Sequence, residues 1–147
     1  MARILVVDDD PRVQRCVGAA LRAAGYAVES ATTIGDALRA LLDRPAFDAV
    51  LLDLGMPDGD GSDALGEIAR TVPLCSIVVH TGHVDRESLL RRLYPLVDFL
   101  AKPASRDDLW AAISRACGKR RKRVATDPGL QRLTAEILTA LGGRHGR

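Results

Sequence analysis

No apolar run in this chain of 147 residues approaches the eighteen or so that a membrane helix needs. The chain begins Met1-Ala2-Arg3-Ile4-Leu5-Val6-Val7, but Asp8-Asp9-Asp10 cuts that run short, so it does not read as a secretory signal. Cysteine is sparse. Cys16, Cys75 and Cys117 are odd in number and far apart, with no metal-ligand spacing and no Cys-x-x-Cys pair. They read as reduced, mostly buried thiols of a cytoplasmic protein. His80, His83 and His145 also lack ligand-like spacing. No Gly-x-Gly-x-x-Gly follows the first apolar run. Asp8-Asp9-Asp10-Pro11 fills that turn, which argues against a dinucleotide site. Asp58 and Asp60 do not open a calcium loop, because Asp63 stands where its glycine belongs and Ala69 where its bidentate Glu belongs. Low-complexity segments and exact repeats are missing too.

What is present centres on Asp48-Ala49-Val50-Leu51-Leu52-Asp53-Leu54-Gly55-Met56-Pro57, followed by Asp58-Gly59-Asp60-Gly61. A continuous apolar run of strand length reads as a strand buried on both faces, hence a parallel sheet between helices. Asp53 is the first polar residue where that strand leaves the core. Ligands of open parallel sheets bind beyond the carboxyl ends of the strands.

The remaining chain alternates in the same way. Strands are expected over residues 3–9, 26–31, 48–53, 74–81 and 96–101. Asp10-Pro11 opens the first helix as N-cap and first helical residue, and Gly25 closes it. Thr33 caps the second helix, which Pro45 ends, and Ser62 caps the third. The fourth is expected over 85–94, before Pro95. Ser105 and Asp108 form a capping pattern for the fifth, with Trp110 as a packing residue. Five alternations give an α/β class: a doubly wound, five-stranded parallel sheet of order 2-1-3-4-5.

Polar groups stand at four strand ends: Asp8 and Asp9, Asp53, Thr81 and Lys102. In that strand order the first and third strands are neighbours, which brings the three carboxylates into one crevice. Clustered carboxylates repel and need a cation or raised pKa values. An all-oxygen acidic site open to water suits Mg²⁺. A carboxylate there can attack a phosphoryl group whose oxygens a metal, a lysine and a hydroxyl neutralise.

Asp8-Asp9 after Val6-Val7, Asp53-Leu54-Gly55-Met56-Pro57 with Gly59-Asp60-Gly61, Thr81-Gly82 and Lys102-Pro103 together resemble a two-component response regulator receiver domain, with its flavodoxin-like (βα)5 fold. The resemblance covers roughly residues 3–117. It implies that Asp53 accepts phosphate from a histidine kinase or phosphotransfer protein. It makes Asp9, Asp53 and the Gly55 carbonyl direct Mg²⁺ ligands, with Asp8 acting through water. Thr81 and Lys102 become the phosphate-sensing pair, and Phe99 the switch aromatic. The implied product is a phosphoacceptor switch rather than an enzyme, its output a protein surface on the fourth helix, fifth strand and fifth helix. Phe99 stands where the family commonly has Tyr, and Tyr94-Pro95 where it has Ala-Gly. His83 occupies a position that tunes phosphoryl lifetime.

The charge is divided. Residues 118–147 hold eight Lys/Arg and two Asp/Glu, and residues 1–117 hold thirteen and seventeen. The acidic part, 1–117, reads as the receiver. The basic part, 118–147, reads as a linker around Lys119-Arg120-Arg121-Lys122-Arg123 followed by a short amphipathic helix, with Leu130, Leu133, Ile137, Leu138 and Leu141 on one stripe. A regulator that binds DNA through this tail is the alternative function. A Mg²⁺-dependent phosphohydrolase is a third, but no second acid or base is evident beside Asp53.

Overall fold

The computed structural model describes residues 1–43, 47–56, 58, 61–82, 87–94 and 96–142. Pro45, Pro57, Gly59, Asp60, His83, Asp85, Pro95 and His145 lie outside these, so the expectations placed on them are not addressed.

The apolar runs form five strands: β1 Arg3–Val7, β2 Ala27–Ala31, β3 Ala49–Leu52, β4 Ser76–Thr81 and β5 Asp98–Ala101. All pairings are parallel and the order is β2-β1-β3-β4-β5. The helices between and after them are α1 Pro11–Ala23, α2 Ile34–Asp43, α3 Gly61–Thr71, α4 Glu87–Leu93, α5 Arg106–Thr126 and α6 Pro128–Gly142. Side-chain alternation along the central strands divides the core. Leu5, Val7, Val50, Leu52, Ile77 and Val79 pack under α2, α3 and α4. Ile4, Val6, Ala49, Leu51 and Val78 pack under α1 and α5, against Val17, Leu21, Leu109 and Ile113. A strand buried on both faces has no polar face to spare, which is why β3 reads as an unbroken apolar run.

Local signals fix the helix starts. Asp10 caps α1 by accepting from the Arg12 N–H at 2.9 Å. Thr33 accepts from the Asp36 N–H at 3.0 Å, and Ser105 from the Asp108 N–H at 3.0 Å. Gly25 ends α1 with φ of +94°, a conformation that strains residues with a Cβ. Trp110 packs as expected, its indole N–H donating to the Ala20 carbonyl at 2.8 Å.

Four features differ from the sequence expectation. The strands are shorter, because Asp8, Asp48, Asp53 and Leu74 stand outside the ladders. α3 begins at Gly61, so Ser62 is its second residue rather than its cap. Cys16 is exposed, while Cys75 and Cys117 are buried; burial pushes the Cys75 thiol up to about 12.

The fourth difference is the largest. No linker follows Cys117: α5 continues unbroken to Thr126. The basic run has partners at the N-terminal end of the sheet. Lys119 pairs with Asp98 at 2.8 Å, Arg120 with Asp48 at 3.0 Å, and Arg123 donates to the Ser76 hydroxyl at 2.6 Å. The charges of Lys119 and Arg120 are answered by acids at the starts of β5 and β3. α6 follows, with Leu133, Ile137, Leu138 and Leu141 on its exposed face. The side chain of Leu130 lies outside the description. Among the described residues no helix is long and apolar enough to cross a membrane.

Candidate functional site

The carboxyl ends of β1 and β3 are adjacent because Val7 pairs with Leu52. Backbone bonds carry the order one residue further: the Asp53 N–H donates to the Val7 carbonyl at 2.9 Å, and the Asp8 N–H to the Ala31 carbonyl at 3.1 Å. Asp8 and Asp53 therefore leave the sheet side by side. Carboxylate oxygens of Asp8, Asp9 and Asp53 lie within 4.8 Å of one another. Asp8 and Asp53 are buried and Asp9 is exposed. Lys102 approaches from the end of β5, where its N–H donates to the Thr81 carbonyl at 2.9 Å. Its ammonium reaches Asp8 Oδ2 at 2.7 Å and Asp53 Oδ2 at 3.4 Å. Burial alone would push the Lys102 pKa down. The hydrogen bond to Asp8 and the charge of Asp53 outweigh it and hold the group above the ordinary lysine value.

One ammonium against three carboxylates leaves the crevice with uncompensated negative charge. The donors are all oxygens, and Asp9 keeps the site open to water. That donor set fits a small hard divalent cation. Gly55 follows in the loop, its N–H donating to Asp53 Oδ1 at 3.1 Å. Thr81 is buried at the end of β4, beside β5 through the Thr81–Ala101 pairing.

Around the crevice the structure employs further residues, of which pattern reading passed over Gln14. Gln14 donates from Nε2 to the Asp8 carbonyl at 2.6 Å and the Ala31 carbonyl at 2.9 Å, fastening α1 to the ends of β1 and β2. Its signal was its place three residues before Val17 and seven before Leu21, at the head of the buried stripe. Asp58 accepts from the Ile34 N–H at 2.9 Å and the Gly35 N–H at 3.2 Å, capping α2 from another loop. Those bonds lower its pKa, the Ile34 bond most. His80, on β4 next to Thr81, is only 7% exposed. Burial first, and then the positive charge of Lys102, lower its pKa. Phe99 is half-buried, with the Arg91 guanidinium 4.7 Å over its ring.

A family model described as the response regulator receiver domain matches residues 4–114. The chain belongs to the response regulator receiver domain family. Among curated relatives, this receiver is 35% identical over 118 residues to the transcriptional regulatory protein KdpE of Mycobacterium tuberculosis, covering 79% of this chain and 51% of that one. It is 33% identical over 116 residues to the transcriptional regulatory protein GlrR of Escherichia coli, covering 78% of this chain and 26% of that one. It thus spans about a quarter to a half of these relatives. Among solved structures, a CheY-like receiver domain protein of Methanospirillum hungatei aligns with TM-score 0.75 and 29% identity, over 84% of this chain and 98% of that one. The Thermotoga maritima response regulator TrrA, solved with Mg²⁺ and BeF, aligns with TM-score 0.72 and 28% identity, over 79% and 99%.

Proposed function

We propose that this receiver takes a phosphoryl group onto Asp53 from a histidine kinase or phosphotransfer protein of the cytoplasm and presents the change to a downstream protein. The observation that carries the reading is the crevice itself: three carboxylates answered by one lysine, at the strand ends where a parallel sheet binds ligands. An Asp53 oxygen attacks phosphorus; the new P–O bond replaces the P–N bond to the donor imidazole, which leaves. Lys102 is within reach of Asp53 and neutralises a phosphoryl oxygen as charge builds, and the Thr81 hydroxyl binds another. Asp9, Asp53 and the Gly55 carbonyl would hold Mg²⁺ directly, with Asp8 acting through water. When bound, the metal supplies charge neutralisation that lets one anion approach another.

Lys102 also ties the site to the output face. Its ammonium reaches Asp53, and Phe99 lies three residues before it on β5. Exchanging the Asp8 and Asp53 contacts of Lys102 for a phosphoryl oxygen would pull on β5 and on the Arg91–Phe99 stack of α4. The phosphate is held until water removes it, so the protein works as a switch rather than as a turnover enzyme. The basic run does not favour a DNA interface, because Lys119, Arg120 and Arg123 are engaged within the chain.

Acetyl phosphate with Mg²⁺ tests the assignment. Labelling at Asp53, lost in Asp53→Asn and on chelation of the metal, is the expected result. An Asp53→Asn variant labelled as well as the parent would overturn it. Steady release of product from small phosphate esters would speak for a hydrolase instead.

A further inference from the structure

Two apolar surfaces of this molecule are open at once, and they match. One is the α6 stripe, where Leu133, Ile137, Leu138 and Leu141 are 50–63% exposed. The other is a groove of about 220 Å³ between the C-terminal end of α3, the start of β4 and the α4–β5 connection, with Leu93 and Leu96 on its rim and Arg123 in its wall. Leu93 and Leu96 are 62% and 63% exposed. Apolar surface concentrated in this way marks a site of association.

The charges also correspond. The one acidic residue between Asp127 and the C-terminus is Glu136, beside Ile137. The groove is flanked by guanidinium groups, Arg123 in its wall and the exposed Arg92 beside Leu93. A helix laid in the groove by its stripe brings a carboxylate to a rim of arginines.

We propose that the α6 helix of one copy seats in this groove of a second copy, and that the second copy returns the contact. α6 starts five residues beyond Arg123, so its root stands at the same end of the sheet as the groove. Within one chain it packs on α5 and leaves its stripe outward. A two-fold axis near that root fills both grooves with both helices in one operation. It also doubles an interface that is small singly against the roughly 800 Å² per partner of a stable complex. This contact does not involve the crevice, so its test is separate from that of Asp53, although its rim includes Leu93 of α4 on the output face.

Sedimentation equilibrium on the full chain tests the exchange. Ile137→Asp changes only the stripe and Leu93→Asp only the groove rim; both sites are exposed, so the fold survives, and circular dichroism verifies that. The parent should dimerise, and each variant should weaken the dimer by at least about tenfold. Mixing the two variants should give a heterodimer weaker than the parent but tighter than either variant alone, because it keeps one intact contact of the two. A monomeric parent at high micromolar concentration would overturn the proposal. So would a Leu93→Asp variant that dimerises like the parent, since the stripes would then be pairing with each other. As a second measurement, oxidation of a Leu96→Cys, Leu138→Cys double variant should give a covalent dimer that neither single variant gives in comparable yield. Equal yields from either single variant would contradict the seating.

Discussion

The two ends of the sheet treat acidic residues in opposite ways. At the N-terminal end, Asp48 and Asp98 each meet one cation of α5, and the Asp48 second oxygen accepts from the Arg3 N–H at 2.8 Å. At the C-terminal end, Asp8 and Asp53 share Lys102, and Asp9 lies beside them. The first arrangement is complete and holds the fold. The second leaves negative charge uncompensated. Charge balance, more than the presence of aspartates, distinguishes a clasp from a site.

The sharpest way to break the comparison is to remove the clasp. Ending the chain at Cys117 deletes Lys119, Arg120 and Arg123 together and strands Asp48 in a half-buried setting. We expect the urea midpoint to fall further than for any single substitution, while ending the chain at Thr126 keeps the clasp and most of the stability. Arg120→Ala alone should cost about 1–3 kcal/mol, since Arg120 and Asp48 side chains are 24% and 18% exposed and Asp48 is left with the Arg3 N–H but no cation from α5. A Cys117 truncation as stable as the parent would show that the extension of α5 is not part of the fold.

The opposite end should gain from what it lacks. Mg²⁺ bound to the folded state stabilises it by about 1.4 kcal/mol at ten times Kd, by linkage alone. Thermal melts with and without the metal read this directly, and a site already in balance would give no shift.

Smaller effects sharpen the picture. His80 is buried with its pKa below the ordinary value, so the unfolded chain takes up its proton first as pH falls. The neutral imidazole's contribution is complete above about pH 6.5 and is lost progressively below it. The parent should therefore lose more stability between pH 7.5 and 5.5 than His80→Leu; equal losses would remove His80 from the account. Lys119→Ala should cost less than about 1 kcal/mol, because Lys119 is 42% exposed and solvent already screens its pair with Asp98.

Much of this was legible in the chain. Apolar runs leading to Asp8, Asp53, Thr81 and Lys102 announce both a parallel sheet and the place where its strand ends converge. Caps such as Asp10 and Ser105 are local and can be read from a few residues. What escaped notice depends on partners distant in sequence. Arg120 and Asp48 are 72 residues apart, and nothing in a run of five cations says that acids at the starts of β3 and β5 await them. Helix propensity carries α5 through that run, and pairing makes its charges tolerable. Asp58 was hidden for the same reason: its cap is for α2, 23 and 24 residues away.

The contrast between the two ends is tested most directly by removing one charge from each. Melts of Asp9→Asn and Asp48→Asn, both in chelator, should move in opposite directions. Asp9→Asn relieves a metal-free cluster and should raise the melting temperature; Asp48→Asn breaks a matched pair with Arg120 and should lower it. If both variants lose stability, the crevice is held together by its carboxylates and the contrast is false.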